Sequence, residues 1–294
     1  MMMFLTTANH SRASGPSGPG RLFTLHNDRD MAVTISEHGA ALMAWWAPDR
    51  YGRLADVVMA GADSLAEPGH PGSLRRLAPA GWQGTMDGRC VTLRHASEEL
   101  AVELSYRLDD EGRLSIEHHV GAREESTVDL GAHPRFNLTG GRGDVADHML
   151  QIEADHYLKI DRGGIPMDVA PVEGTAFDFR KPAAIGPRLV WPDVQIGLAG
   201  GFGHCFQVGA ERGQLRVVAR VYDPRSGRRL QVATTEAGLG FCTDTQGGSP
   251  DGAGLRLQPC SHPEHLGVGL AAAVIVSPRN VFRRTTVYQL TLQL

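Results

Sequence analysis

The stretch Gly131-Ala132-His133-Pro134-Arg135-Phe136-Asn137-Leu138 carries the residue types best suited to proton transfer in this chain. His133 closes an apolar, strand-like run from Ser126 to Leu130 and is followed by proline. Proline holds the residue before it in an extended conformation, so His133 is expected to project from the end of a strand. An imidazole placed there gains or releases a proton close to neutral pH. Residue type alone fits a satisfied structural histidine at least as well as a working acid. The surrounding elements must decide.

Those elements read as strands. Met31 to Ile35, Gly39 to Met43 and Asp56 to Met59 open a series of short segments with period-two alternation. Cys90 to Leu93, Ala101 to Leu108 and Leu114 to Val120 form a meander, with a turn at Asp109-Asp110-Glu111-Gly112. His148 to Ala154, Gln214 to Tyr222, Arg228 to Thr234 and Thr285 to Leu294 follow, and Asp223-Pro224-Arg225-Ser226-Gly227 marks a hairpin. No segment sustains a helical stripe over three turns. The expected fold is all-β, a large antiparallel β-sandwich. Residues 1–20 are expected to form a disordered N-terminal tail, because Asn9 to Gly20 is small, polar and rich in Gly and Pro. Residues 21–294 are expected to form one domain.

Composition narrows the function classes. Hydrophobic residues make up 41% and charged residues 21% of the 294, as in globular proteins with a sizeable core. A net charge of -4 offers no polycation to nucleic acid or anionic lipid. Cys90, Cys205, Cys242 and Cys260 form no C-x-x-C pair, so they read as thiols in a reducing compartment rather than a disulfide framework or zinc site. No spaced ligand set suggests a metal, and no cofactor is expected. No apolar run approaches a membrane span, and Met1 to Ala8 is too short for a signal-peptide core. The expected location is the cytoplasm.

Several segments, in order, resemble the galactose mutarotase (aldose 1-epimerase) family. They are His38-Gly39-Ala40, Ala47 to Gly52, Asp56 to Gly61, Asp87 to Leu108, Ala132 to Gly140, Asp155 to Asp161 with Ile165-Pro166, Gly174 to Phe179, Gly201 to Phe206, and Thr234 to Leu239. The resemblance covers nearly all of the chain after residue 21. It implies an antiparallel β super-sandwich with an open sugar-binding cleft, and a small-molecule sugar as partner. Family members interconvert α and β anomers of aldoses without metal or organic cofactor. One group takes the proton from the anomeric hydroxyl while another protonates the ring oxygen, so two groups with separated proton affinities are needed.

By the same resemblance His133 is the general acid, with Arg135 in place of an aromatic residue. Gln258 stands where the family has its glutamate base, and Gly203, before His204, where it has a sugar-binding aspartate. A neutral amide hydrogen-bonds a hydroxyl but does not take its proton as a carboxylate does. The family's Arg- and His-bearing region is reduced here to Ser64–Gly84, where His70, Arg75 and Arg76 could substitute; Arg75-Arg76 reads as a solvated loop pair. His204, Gln258 and His70 are the expected sugar contacts. Asp244, in a run Asp244-Thr245-Gln246 with Pro250-Asp251 that mimics the family's acidic run but sits beside the loop-like Gly247 to Gly254, and Glu264 are candidates for a substitute base. The site is therefore expected to be a degenerate epimerase site, or that of a carbohydrate-binding protein without catalysis. Trp45, Trp46, Trp82 and Trp191 could stack a sugar ring or fill the core.

Overall fold

Period-two alternation builds sheets with one face buried and the other open. The computed structural model describes residues 20–59, 75–76, 81–129, 134–209, 213–243, 254–260 and 273–293. The first four strands, β1 (Leu22–His26), β2 (Ala32–Ser36), β3 (Ala41–Pro48) and β4 (Leu54–Asp56), form an antiparallel sheet in chain order. A nine-stranded sheet has β15 (Ala183–Ala184) and β12 (Met149–Ile152) at one end, then β17 (Arg216–Tyr222), β18 (Arg228–Thr234) and β22 (Phe282–Leu292). It continues through β9 (Arg113–Ala122), β8 (Leu100–Leu108), β7 (Cys90–Ala96) and β6 (Gln83–Asp87).

A six-stranded sheet runs β11 (Arg135–Phe136), β20 (Leu255–Cys260), β19 (Gly238–Thr243), β16 (Gly203–Gln207), β13 (His156–Ile160), β14 (Pro166–Pro171). Its buried face meets the nine-stranded sheet. Phe136 lies 5.2 Å from Tyr288, centroid to centroid, and the Tyr288 hydroxyl donates to the Leu257 carbonyl at 3.0 Å. Phe136, Phe206, Phe241, Leu255, Leu104 and Leu290 belong to one contiguous core. Each such side chain contributes about 1.5–3 kcal/mol on burial.

The turns form for local reasons. The Asp109 carboxylate accepts from the Glu111 and Arg113 N–H groups at 3.0 and 2.8 Å, and Gly112 takes φ +73°. The Asp223 carboxylate accepts from the Arg225 and Ser226 N–H groups at 3.2 and 3.0 Å, closing the β17–β18 hairpin.

Two expectations change. Arg75–Arg76, read as loop, is strand β5, parallel to β10 (Ser126–Asp129) in a sheet completed by β21 (Ala273–Val276). The Gly39–Met43 strand begins only at Ala41, because His38–Ala40 forms a 3-10 turn with Gly39 at φ +70°. Helices α1 (Ile185–Leu189) and α2 (Val194–Ala199) are each under three turns. Among the described residues, no helix is long and apolar enough to cross a membrane. The expected tail lies outside the described residues but for Gly20.

Candidate functional site

Register sorts the side chains of the six-stranded sheet into two faces. Arg135 pairs with Arg256, Arg256 with Cys242, and Cys242 with Gly203. The next row is Gln258, Gly240 and Cys205. A third joins Cys260, Gly238, Gln207 and His156. Directly paired residues and those two apart on a strand share a face. Arg135, Arg256 and Gln258 are half-buried, while Phe136, Leu255 and Leu257 on the other face are in the core. The second, more open face thus presents the half-buried Arg135, Arg256 and Gln258 beside Gly203, Cys242 and the buried Gly240.

Buried polar contacts hold β11, and with it the chain leaving His133. Met59 N–H donates to the Arg135 carbonyl at 2.8 Å, and Asn137 N–H to Val57 at 2.9 Å. Leu138 N–H donates to His148 Nε2 at 3.0 Å, and its carbonyl accepts from Ser226 Oγ at 3.0 Å and Arg228 at 2.8 Å. The Arg228 guanidinium also donates to the carbonyls of Pro48, Ala47 and Arg53 at 3.1, 3.0 and 3.1 Å. It therefore ties β3, β18 and the segment after β11 together. On the other side of His133, β5 pairs with β10 through Val128 and Asp129. His133 itself, with His70, Asp244 and Glu264, lies outside the described residues.

The two described sugar-contact candidates do not come together. Gln258 is on the open face, whereas His204 is fully buried on the core face, opposite Phe241. The His204 ring lies 4.5 Å from Phe177, Nδ1 accepts from Gly203 N–H at 3.2 Å, and Nε2 meets Gln195 Oε1 at 3.2 Å. These partners fit a neutral imidazole protonated on Nε2. Burial pushes its pKa down to about 4. Gln195 also bonds both the N–H and the C=O of Ile160, at 2.7 and 3.2 Å, so His204 helps seat α2 on β13. A direct sugar contact gives way there to a core role.

Other candidates sort by burial. His118 is buried and its neighbour His119 exposed; Trp45 and Trp82 are buried, Trp46 and Trp191 exposed. At the far end of the open face, a groove of about 720 Å³ is lined by Glu153, Asp155, His156, Arg180 and Gln207. Its charges are paired, Arg180 with Asp178 at 2.8 Å and Arg220 with Glu153 at 2.6 Å.

Sequence reasoning missed a buried polar group behind β20. Arg284 donates to the Pro259 carbonyl and meets His118 Nε2, both at 3.1 Å, and Glu236 is fully buried. The signal was available: Phe282, Arg284, Thr286, Tyr288 and Leu290 alternate inward along β22. Cysteines far apart in sequence also meet, Cys205 Sγ lying 2.8 Å from Cys260 Sγ. The hydrogen bond with Cys205, then burial, push the Cys260 thiol well up, which keeps it protonated and a poor nucleophile. Among the described residues, no group of three His, Cys, Asp or Glu could hold a metal ion.

A family model described as aldose 1-epimerase matches residues 82–289. The chain belongs to the aldose 1-epimerase family. It is 31% identical over 294 residues to the aldose 1-epimerase of Escherichia coli K12, covering 82% of this chain and 84% of that one. It is 40% identical over 174 residues to the galactose mutarotase of Mus musculus, covering 58% and 48%. The fold is similar to that of an aldose epimerase homologue from C. elegans, with TM-score 0.74, 17% identity, and 93% and 99% coverage. A galactose 1-epimerase from Lactobacillus acidophilus gives 0.67, 22%, and 93% and 95%. In this aldose 1-epimerase family member, Gln258 and Gly203 fall on one open face in adjacent rows.

Proposed function

We propose that this protein interconverts the α and β anomers of an aldose on the open face of the six-stranded sheet, at an attenuated rate. Family membership supplies the reaction class. The observation that supports the location is the placing of Gln258 beside the side-chain-free floor of Gly240 and Gly203. His133 acts as general acid, protonating the ring oxygen. The ring opens, the aldehyde carbon turns, and closure on the other side of the carbonyl gives the second anomer. Gln258 hydrogen-bonds the anomeric hydroxyl, and the proton leaves to water because an amide does not accept it. Loss of a positioned base costs roughly two to four orders of magnitude.

A second reading, aldose binding without catalysis, is favoured by the neutral residues at both Gln258 and Gly203. Polarimetry of freshly dissolved α-D-glucose and α-D-galactose, with wild type beside His133→Ala, separates the two. Acceleration that disappears in the variant supports the epimerase. No acceleration, with binding heat in calorimetry, supports the binding protein. Neither signal with any aldose removes both readings.

A further inference from the structure

Gln258 sits on a stretch of β20 whose outer edge lacks a strand partner. β11 pairs with β20 only at Arg256 and Leu255, so among the described residues no strand flanks β20 on that side from Leu257 onward. Pro259 suits such an edge, where its missing N–H leaves no ladder bond unmade. The carbonyls remain, and a buried acceptor without a donor costs free energy. Two side chains of β22 supply the donors. The Tyr288 hydroxyl donates to the Leu257 carbonyl at 3.0 Å, and an Arg284 N–H donates to the Pro259 carbonyl at 3.1 Å, both in buried surroundings. These are the carbonyls on either side of Gln258. The Tyr288 ring also lies 5.2 Å from Phe136, so one residue touches both β11 and β20. On the inner edge Gln258 stands opposite Gly240, which offers no side chain for the amide to rest on. The direction of the amide therefore depends on the backbone that carries it.

Resting on the reading of this face as the sugar site, we propose that Tyr288 is a positioning residue for the reaction. Its hydroxyl, with Arg284, fixes the Gln258 backbone from the core side and so aims the amide at the anomeric hydroxyl. Both side chains are buried behind β20 and act through Gln258 alone.

Tyr288→Phe tests this, because it removes the hydroxyl and keeps the ring on Phe136. Polarimetry with α-D-glucose and α-D-galactose is expected to show kcat lowered about 3- to 10-fold and KM changed less than about twofold. The same substitution made in Gln258→Glu should lower kcat by about 10- to 100-fold, since proton transfer to a carboxylate demands closer placement than a hydrogen bond. Melting transitions of all four proteins are recorded beside the rates. Equal factors in the two backgrounds overturn the proposal, leaving Tyr288 a structural residue that acts through the fold. An unchanged kcat, or a raised KM with kcat intact, overturns it as well, and each of these results leaves the sugar site standing. No acceleration by wild type or by Gln258→Glu removes the sugar site and the proposal together.

Discussion

Gln258 differs from a glutamate base only in carrying an amide nitrogen in place of one carboxylate oxygen, and that difference is the centre of the chemistry at the residue scale. Gln258→Glu restores a proton acceptor on the open face without a change of shape. A glutamate ordinarily titrates well below neutral pH, so the new side chain enters as a carboxylate. Anomer exchange measured by polarimetry is therefore expected to rise by about two to four orders of magnitude in this variant. A folded Gln258→Glu protein no faster than wild type would remove Gln258 from the reacting centre. His204 teaches the converse at the same scale. Its type and its position after Gly203 suggest a sugar contact, but strand alternation turns it inward against Phe177 and Gln195. Residue type names the chemistry available, and facing decides whether it is used.

At the scale of elements, Arg228 is the joint between the sheet that opens the chain and the strand that carries the open face. Its guanidinium donates to four backbone carbonyls, those of Pro48, Ala47, Arg53 and Leu138. Arg228→Met strands these buried acceptors, and each such loss costs about 1–3 kcal/mol. Urea unfolding is expected to show a loss of at least about 3 kcal/mol; a loss below about 1 kcal/mol would mean that water replaces the guanidinium at no cost. Gly238 is a second joint. A Cβ there would lie 2.8 Å from Cys260 Sγ and 2.9 Å from the Cys260 carbonyl, so β19 or β20 must shift. Gly238→Ala is expected to cost about 1–3 kcal/mol by overpacking, read in the same unfolding experiment, and a neutral result would show that the sheet flexes freely there.

At the scale of the molecule, the core holds two histidines whose charge it does not tolerate. Burial pushes both His148 and His204 down to about 4 from the ordinary 6.5. The unfolded chain therefore binds more protons than the folded one between these values, and stability rises with pH across the window. The contribution is complete above 6.5 and is lost as pH falls toward about 4. Each histidine adds a slope of about 1.4 kcal/mol per pH unit there. Unfolding free energies measured across this window should fall with acidification, less steeply in His204→Gln. A flat profile would place both rings in contact with water.

The amino-acid sequence by itself determined the strand content, the turns at Asp109–Gly112 and Asp223–Gly227, and the family, because alternation, turn chemistry and motif order are local properties of the chain. It also marked Gln258 and Gly203 as neutral where the family resemblance sets acids. Only the tertiary structure decided which of these residues meet. Pairing across β11, β20, β19 and β16 brings Arg135, Arg256, Gln258 and Gly203 to one face from segments more than a hundred residues apart in sequence at the extremes, Arg135 to Gln258. The same pairing turns His204 inward, draws Arg75–Arg76 alongside β10, and joins Cys205 to Cys260. Register is a long-range choice, made by burying every apolar face at once, and no local pattern in the chain states it.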